Sequence, residues 1–142
     1  MSSIKEFEEM EAWKEARILA NLIYDVSNKS SLSKDFGLRD QMRRAAISIL
    51  SNIAEGFERG GDKEFFQFLA QAKGSAGELR SQMYLALDRG YLLQLEFAEL
   101  CSHVRKVSRM ISGLMGYLRE SKMRGSKYAA KANFLSQPPK AL

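Results

Sequence analysis

The chain has 142 residues and a formal net charge of +5, long enough for one domain with a real core and too short for two ordinary ones. Its first twenty residues, MSSIKEFEEMEAWKEARILA, carry acids throughout and no uninterrupted apolar block, so neither a secretory leader nor a membrane span is written there and a cytoplasmic protein is expected. Cys101 is the single cysteine, which excludes an internal disulfide and fits a reducing compartment.

The only prolines are Pro138 and Pro139, so nothing upstream removes an amide donor from a helix. Four stretches then take up helical periodicity. The first, Glu8 to Lys29, places Trp13, Ala16, Ala20, Ile23 and Ser27 on one stripe, flanked by Leu19, Tyr24 and Val26. The second, Leu38 to Glu58, uses Leu38, Met42, Ala45, Ile49, Ile53 and Gly56. The third, Lys63 to Asp88, uses Phe65, Leu69, Ala72, Ala76, Leu79, Met83 and Leu87. The fourth, Leu95 to Glu120, uses Phe97, Leu100, Val104, Val107, Ile111, Leu114 and Leu118. Breaks fall at Ser30-Ser31-Leu32-Ser33 with Gly37, at Gly60-Gly61-Asp62, where Asp62 reads as an N-cap, and at Asp88-Arg89-Gly90. Connections this short force neighbouring helices to run antiparallel. The expected fold is therefore all-α, an up-down-up-down four-helix bundle over residues 1–121, with a basic tail over 122–142. Ser126 to Ser136 reads as a weaker fifth helical element, because Tyr128, Ala132 and Leu135 share a face.

Charge is unevenly placed. Every one of the 17 acids lies at or before Glu120, while the tail holds Lys122, Arg124, Lys127, Lys131 and Lys140 with no acid; removing those five from the 22 basic residues leaves a neutral body. Such an arm reads either as a grip on a phosphate backbone, where neutralised phosphates release counterions, or as a solvated end that aids solubility.

Two helices carry more than one patterned face. At about 100° per residue, the core stripe of the second helix has an apolar neighbour at Ile47, Leu50, Ala54 and Phe57. A narrow polar seam at Gln41, Arg44, Ser48, Asn52, Glu55 and Arg59 remains. If both stripes pack, the seam must satisfy itself, and a network of Arg44, Ser48, Asn52 and Glu55 with Glu78 is expected to set helix or subunit register; a ligand contact or a solvated face are the alternatives. The third helix aligns Ala70, Gly74, Gly77 and Ser81, continued by Tyr84, opposite its core. Each glycine inside a helix costs about 1 kcal/mol relative to Ala, so close approach by another backbone is expected. With a core already on the other face, that backbone belongs to another copy of the chain. The alternative is that Gly74 and Gly77 relieve crowding within one bundle. The expected interface is Ile47, Leu50, Phe57, Ala70, Gly74, Gly77, Ser81 and Tyr84.

Catalytic chemistry is poorly provided for. A di-iron bundle needs two Glu-x-x-His pairs; His103 is the only histidine, with Glu99 four residues before it. Cys101 lies about 200° from His103 around one helix, so the two cannot pair as nucleophile and base. No phosphate loop, dinucleotide fingerprint, H-E-x-x-H or G-x-S-x-G occurs. No enzyme, metal or cofactor is expected. Arg105, Arg109 and Arg119 share an outer stripe of the fourth helix and Arg39, Arg43, Arg44 and Arg59 crowd the second. Without aromatic interleaving or a helix-turn-helix pattern, they suit backbone rather than base recognition.

Gln41-Met42-Arg43-Arg44-Ala45-Ala46, Ser48-Ile49, Asn52-Ile53-Ala54-Glu55-Gly56, Lys63-Glu64-Phe65, Phe68-Leu69, Ala72, Gly74-Ser75, Glu78-Leu79, Gln82 and Gly90-Tyr91-Leu92 together resemble the four-helix bundle proteins of intervening sequences in bacterial 23S rRNA genes. The likeness spans residues 10 to 118, and departs at Leu50, where that family often has proline. It implies a non-enzymatic bundle that assembles as a ring-like homo-oligomer, a pentamer. The chain is also similar to the accessory variability determinant of diversity-generating retroelements, which implies a nucleic-acid-binding accessory protein working with a reverse transcriptase or a ribosomal RNA-related partner, and no membrane. A protein-protein interaction scaffold without nucleic-acid affinity is the alternative.

Overall fold

The computed structural model describes residues 4–136, with side chains described for residues 4–121. Four helices form: α1 (Glu11–Ser27), α2 (Phe36–Glu58), α3 (Asp62–Asp88) and α4 (Gln94–Ser136), with short 3-10 turns at Phe7–Glu9 and Ser30–Lys34. No strand occurs among the described residues. Helix α1 packs on α2, α2 on α3, α3 on α4, and α4 returns to α1. The result is a four-cornered bundle with α2 and α4 at opposite corners. No helix among the described residues is long and apolar enough to cross a membrane.

The apolar stripes read from the sequence meet at the centre. Ala16, Leu19 and Ile23 of α1, Met42, Ile49 and Ile53 of α2, Leu69, Leu79 and Met83 of α3, and Val104, Val107 and Ile111 of α4 are fully or almost fully buried, and removal of their apolar area from water is the main force holding the helices together. Trp13, Leu38, Leu87 and Leu114, expected in the core, are instead half-buried at its margin. Ala86 takes the inward position near the end of α3.

Several boundaries differ from expectation for identifiable reasons. Chain preceding α1 forms a separate 3-10 turn, so the first α-helix starts at Glu11 rather than Glu8. Gly37, expected in a break, lies inside α2, because the Asp35 carboxylate accepts from the Leu38 amide at 3.1 Å and caps the helix from one turn earlier. Asp62 is not the N-cap of α3. Gly61 occupies that position in extended backbone with no side-chain cap, and Asp62 is the first helical residue, where its charge favours the amino end of the helix. Gly60 and Gly90 take positive φ, 84° and 76°, at the ends of α2 and α3, where a side chain would strain the turn. Helix α4 runs without interruption to Ser136, so Ser126 to Ser136 is its continuation and not a fifth element. Helix α2 likewise runs through Leu50.

Polar bonds clamp one end of the bundle. Tyr91 Oη donates to Asp35 Oδ2 at 2.9 Å, Ser30 Oγ donates to the Tyr91 carbonyl at 3.4 Å, and Lys29 pairs with Glu96 at 3.3 Å. The link between α1 and α2 therefore lies against the link between α3 and α4. At the other end, Phe57, Gly60, Gly61 and Phe65 share a cavity of about 410 Å³ with Tyr117 and Leu118 of α4.

Candidate functional site

Helix α2 is where chemistry-bearing residues meet. Its polar seam does not form one network. Ser48 Oγ and Ser75 Oγ share a hydrogen bond of 2.8 Å, and Asn52 Nδ2 donates to the Ser48 carbonyl at 2.8 Å and to Ser48 Oγ at 3.0 Å. This part is half-buried between α2 and α3 and pins one helix against the other. Ser75, one of the residues carrying the family resemblance, was not among those expected in the network. Its position beside the seam depends on the pairing of the two helices, which spacing along α2 does not show. Glu55 and Arg59 form a separate exposed ion pair at 2.8 Å, and Arg44 and Glu78 are exposed and stand outside the Ser48–Asn52–Ser75 cluster.

The expected interface residues divide in the same way. Leu50 and Phe57 pack partly against the chain's own core, and Phe57 meets Phe65 edge-on at 5.9 Å. Apolar surface counted as surplus is thus partly used within the chain. Ile47 is 42% exposed on the outer face of α2. Ala70, Gly74, Gly77 and Ser81 are exposed on α3, while Tyr84, also exposed, sets its ring edge-on to Phe97 at 4.9 Å. A Cβ added at Gly74 or Gly77 would meet no atom within 4 Å. Crowding inside one bundle therefore does not explain these two glycines. The contrast is Gly56, where a Cβ would stand 2.6 Å from Phe68 Cβ and 3.0 Å from Phe65 Cδ1; there the absent side chain is what lets α3 approach α2.

Most of the candidate arginines on α2 are engaged, and aromatic rings are their partners. The Arg39 guanidinium lies 4.7 Å from the Phe36 ring, pairs with Asp40 at 2.9 Å and donates to the Ser33 carbonyl. Arg43 lies 4.5 Å over Tyr24, and its Nε donates to Ser27 Oγ at 2.7 Å. Arg59 lies over Phe68 at 5.0 Å and Arg119 over Phe66 at 5.2 Å. Aromatic interleaving, absent along the sequence, is thus present in space: in three of these four pairs the ring comes from a different helix. Arg44 is exposed with no ion-pair partner among the described residues. Arg105 and Arg109 are exposed on α4, at the corner diagonal to α2, so the two arginine groups do not merge into one patch. The side chains of Lys122, Arg124, Lys127 and Lys131, and residue Lys140, lie outside the described residues.

Outer faces of α1 and α2 enclose a shallow trough of about 540 Å³ lined by Tyr24, Asp40, Arg43, Arg44, Ile47, Ser48, Ser51, Asn52 and Glu55. Elsewhere, His103 Nδ1 stands 3.8 Å from Glu15 Oε1, and Lys106 reaches Glu15 Oε2 at 3.5 Å. Burial raises the Cys101 thiol above its usual range, against the pull of Arg105 and Arg80, which disfavours the reactive thiolate. At the clamped end, the Leu38 amide first, then the Tyr91 hydroxyl, hold the Asp35 carboxyl below its usual range. The Leu93 amide, ahead of Lys29, does the same for Glu96. Among the described residues, no three His, Cys, Asp or Glu side chains gather as metal ligands.

No curated protein matches the chain. The family model described as 23S rRNA-intervening sequence protein matches residues 8–113, from the turn before α1 into α4, two residues past the buried Ile111. With most of its length so matched and four helices closing the bundle, the chain belongs to the 23S rRNA-intervening sequence protein family.

Proposed function

We propose that this chain is a non-enzymatic accessory protein of the cytoplasm that self-associates through the outer face of α3 and binds the backbone of RNA or DNA, acting with a reverse transcriptase or a ribosomal RNA-related partner. The bundle is up-down-up-down, a topology supported by the shared end of the two interhelical links. Its copies form a ring-like homo-oligomer, a pentamer. The observation that carries nucleic-acid binding is the position of the positive excess: all of it lies beyond Glu120, on and after the continuation of a 43-residue helix whose neighbour α3 has only 27 residues. A basic helical extension on a neutral body suits a polyanion. The family's name, which refers to 23S rRNA, is compatible with that partner class.

Anisotropy of a labelled RNA titrated with the full chain tests this. Binding should weaken with salt, and changing Lys122, Arg124, Lys127 and Lys131 to Gln should lower both the affinity and the salt slope, by about 0.7 to 0.9 for each phosphate that is no longer neutralised. No binding at low salt disposes of the proposal. One observation favours a scaffold without nucleic-acid affinity instead: Arg39, Arg43, Arg59 and Arg119 already engage this chain's own rings and carboxylates. A scaffold would assemble normally and co-purify with a specific protein while ignoring RNA. For assembly, Gly74→Leu with Gly77→Leu should lower the mass seen by light scattering while leaving helix content intact; an unchanged mass removes α3 as the contact face.

A further inference from the structure

We infer that the nucleic acid engaged by this chain is single-stranded, and that an unpaired base stacks on the Tyr24–Arg43 pair in the trough across α2; this rests on the nucleic-acid function proposed above. Tyr24 is 41% exposed, and the Arg43 guanidinium lies 4.5 Å from its ring centroid. The guanidinium is held from beneath. Arg43 Nε donates to Ser27 Oγ at 2.7 Å, and Ser27, fully buried, donates in turn to the Tyr24 carbonyl at 3.3 Å. A guanidinium fixed in this way loses little side-chain freedom when a base lands on the pair. Unpaired bases are recognised by stacking on aromatic rings and guanidinium planes, whereas a duplex keeps its base faces hidden.

Polar groups and charge in the same trough agree with that occupant. Asn52 spends its amide nitrogen on Ser48, which orients the amide and leaves its oxygen as an acceptor for a base edge. Ser51 is exposed beside it, and Arg44 supplies a cation for a phosphate. The two acids at the rim are already countered: Asp40 by Arg39 at 2.9 Å and Glu55 by Arg59 at 2.8 Å. The lining itself holds two arginines and two carboxylates; because the carboxylates are paired with Arg39 and Arg59 from outside it, Arg43 and Arg44 are left to attract an anionic strand. A volume of about 540 Å³ falls within the range of small-ligand pockets and suits one or two nucleotides rather than a groove-wide duplex.

The test is fluorescence anisotropy at about 50 mM salt with a labelled single-stranded RNA of about 12 nucleotides and a blunt duplex of the same length. Tyr24→Leu and Tyr24→Phe are compared with the wild type, and far-ultraviolet circular dichroism checks that each variant is folded. The expected result is single-strand binding about tenfold tighter than duplex binding, a loss of about tenfold for the single strand in Tyr24→Leu, and retention in Tyr24→Phe, which keeps the ring. If the single strand binds but Tyr24→Leu leaves its affinity unchanged, or the duplex binds as tightly, the stacking site is overturned while backbone binding through the tail stands. If neither RNA binds, the nucleic-acid function fails and the stacking site with it.

Discussion

The seam between α2 and α3 and the seam between α4 and α1 close the same core by different means. The first is tight and self-satisfied: Gly56 lets Phe68 and Phe65 lie against the α2 backbone, and Ser48, Ser75 and Asn52 satisfy one another across the contact. The second shares the same kind of apolar packing, through Ala16 and Ile23 of α1 and Val104 and Ile111 of α4, and adds an ion pair to it. Lys106 pairs with Glu15 Oε2 at 3.5 Å, while Glu15 Oε1 and His103 Nδ1, 3.8 Å apart, are buried with no hydrogen-bond partner. Further along, Met10, Ala12, Met110 and Leu114 leave a cavity of about 340 Å³. Close packing tolerates little change in shape, whereas charges several ångströms apart tolerate shape change and respond to salt. The α2–α3 pair therefore specifies register, and the α1–α4 pair has room to adjust.

The largest expected effect follows from that contrast. Gly56→Ala raises intrinsic helix propensity but drives a methyl into Phe68, and should lower stability by about 1–3 kcal/mol, read as a lower urea midpoint at unchanged slope. An unchanged midpoint would mean that the helices do not approach as described. Gly74→Ala places the same methyl in empty space, so under conditions where the chain is monomeric it should gain up to about 1 kcal/mol from helix propensity. A smaller effect belongs to the hydrogen bond across the seam. In a double-mutant cycle, Ser48→Ala and Ser75→Ala should couple by about 0.5–1.5 kcal/mol, and additive losses would show that the two hydroxyls do not act together.

Legibility in the sequence follows how local each feature is. The four helices and most core positions within them were readable because burial in a bundle repeats every three or four residues, as Leu69, Ala72, Ala76, Leu79 and Met83 do, whereas Leu32 and Leu92, buried from the links between helices, follow no such repeat. The small-residue stripe of α3 was readable for the same reason. Tyr24 beneath Arg43 was not, because ring and cation come from different helices and meet only once α1 packs on α2. Ser75 beside Ser48 was missed likewise. Asp62 was a misreading of a local signal: an acid near a helix start serves equally as cap or as first-turn residue, and Gly61 took the extended position. Asp35, which does cap a helix, was obscured by Gly37 two residues later, which looked like the end of a break.

A pH dependence sharpens the picture at the clamped end, where α2 begins against the link into α4. In the folded chain, the Leu38 amide first and the Tyr91 hydroxyl second, with Arg89 adding a smaller attraction, hold the Asp35 carboxyl below its ordinary value of 3.8, against a partial desolvation. A folded value lower than the unfolded one means that the group's contribution is complete above the unfolded value and disappears as pH falls through the folded one. Wild type should therefore melt above Asp35→Asn by a constant margin from about pH 7 to pH 5, and the margin should shrink below about pH 4. A margin that does not change with acidification would show that the amide and phenol bonds do not discriminate the charged carboxylate from the neutral one.

The smallest effect is expected on the α1–α4 seam, and its signature is salt rather than size. Lys106 is half-exposed and reaches Glu15 at 3.5 Å, so Lys106→Met should cost about 0.2–1 kcal/mol at low ionic strength, the usual worth of an exposed pair. Screening lengths fall to about 3 Å at 1 M salt, so the difference between wild type and Lys106→Met should nearly vanish there, while the loss caused by Gly56→Ala should persist because close contact is not screened. If both differences survive high salt equally, the Lys106 side chain acts through its packing and not its charge, and the contrast between the two seams is lost. If only the Lys106→Met difference disappears, the α1–α4 seam carries a screened electrostatic contribution on top of its apolar packing, which the α2–α3 seam does not need.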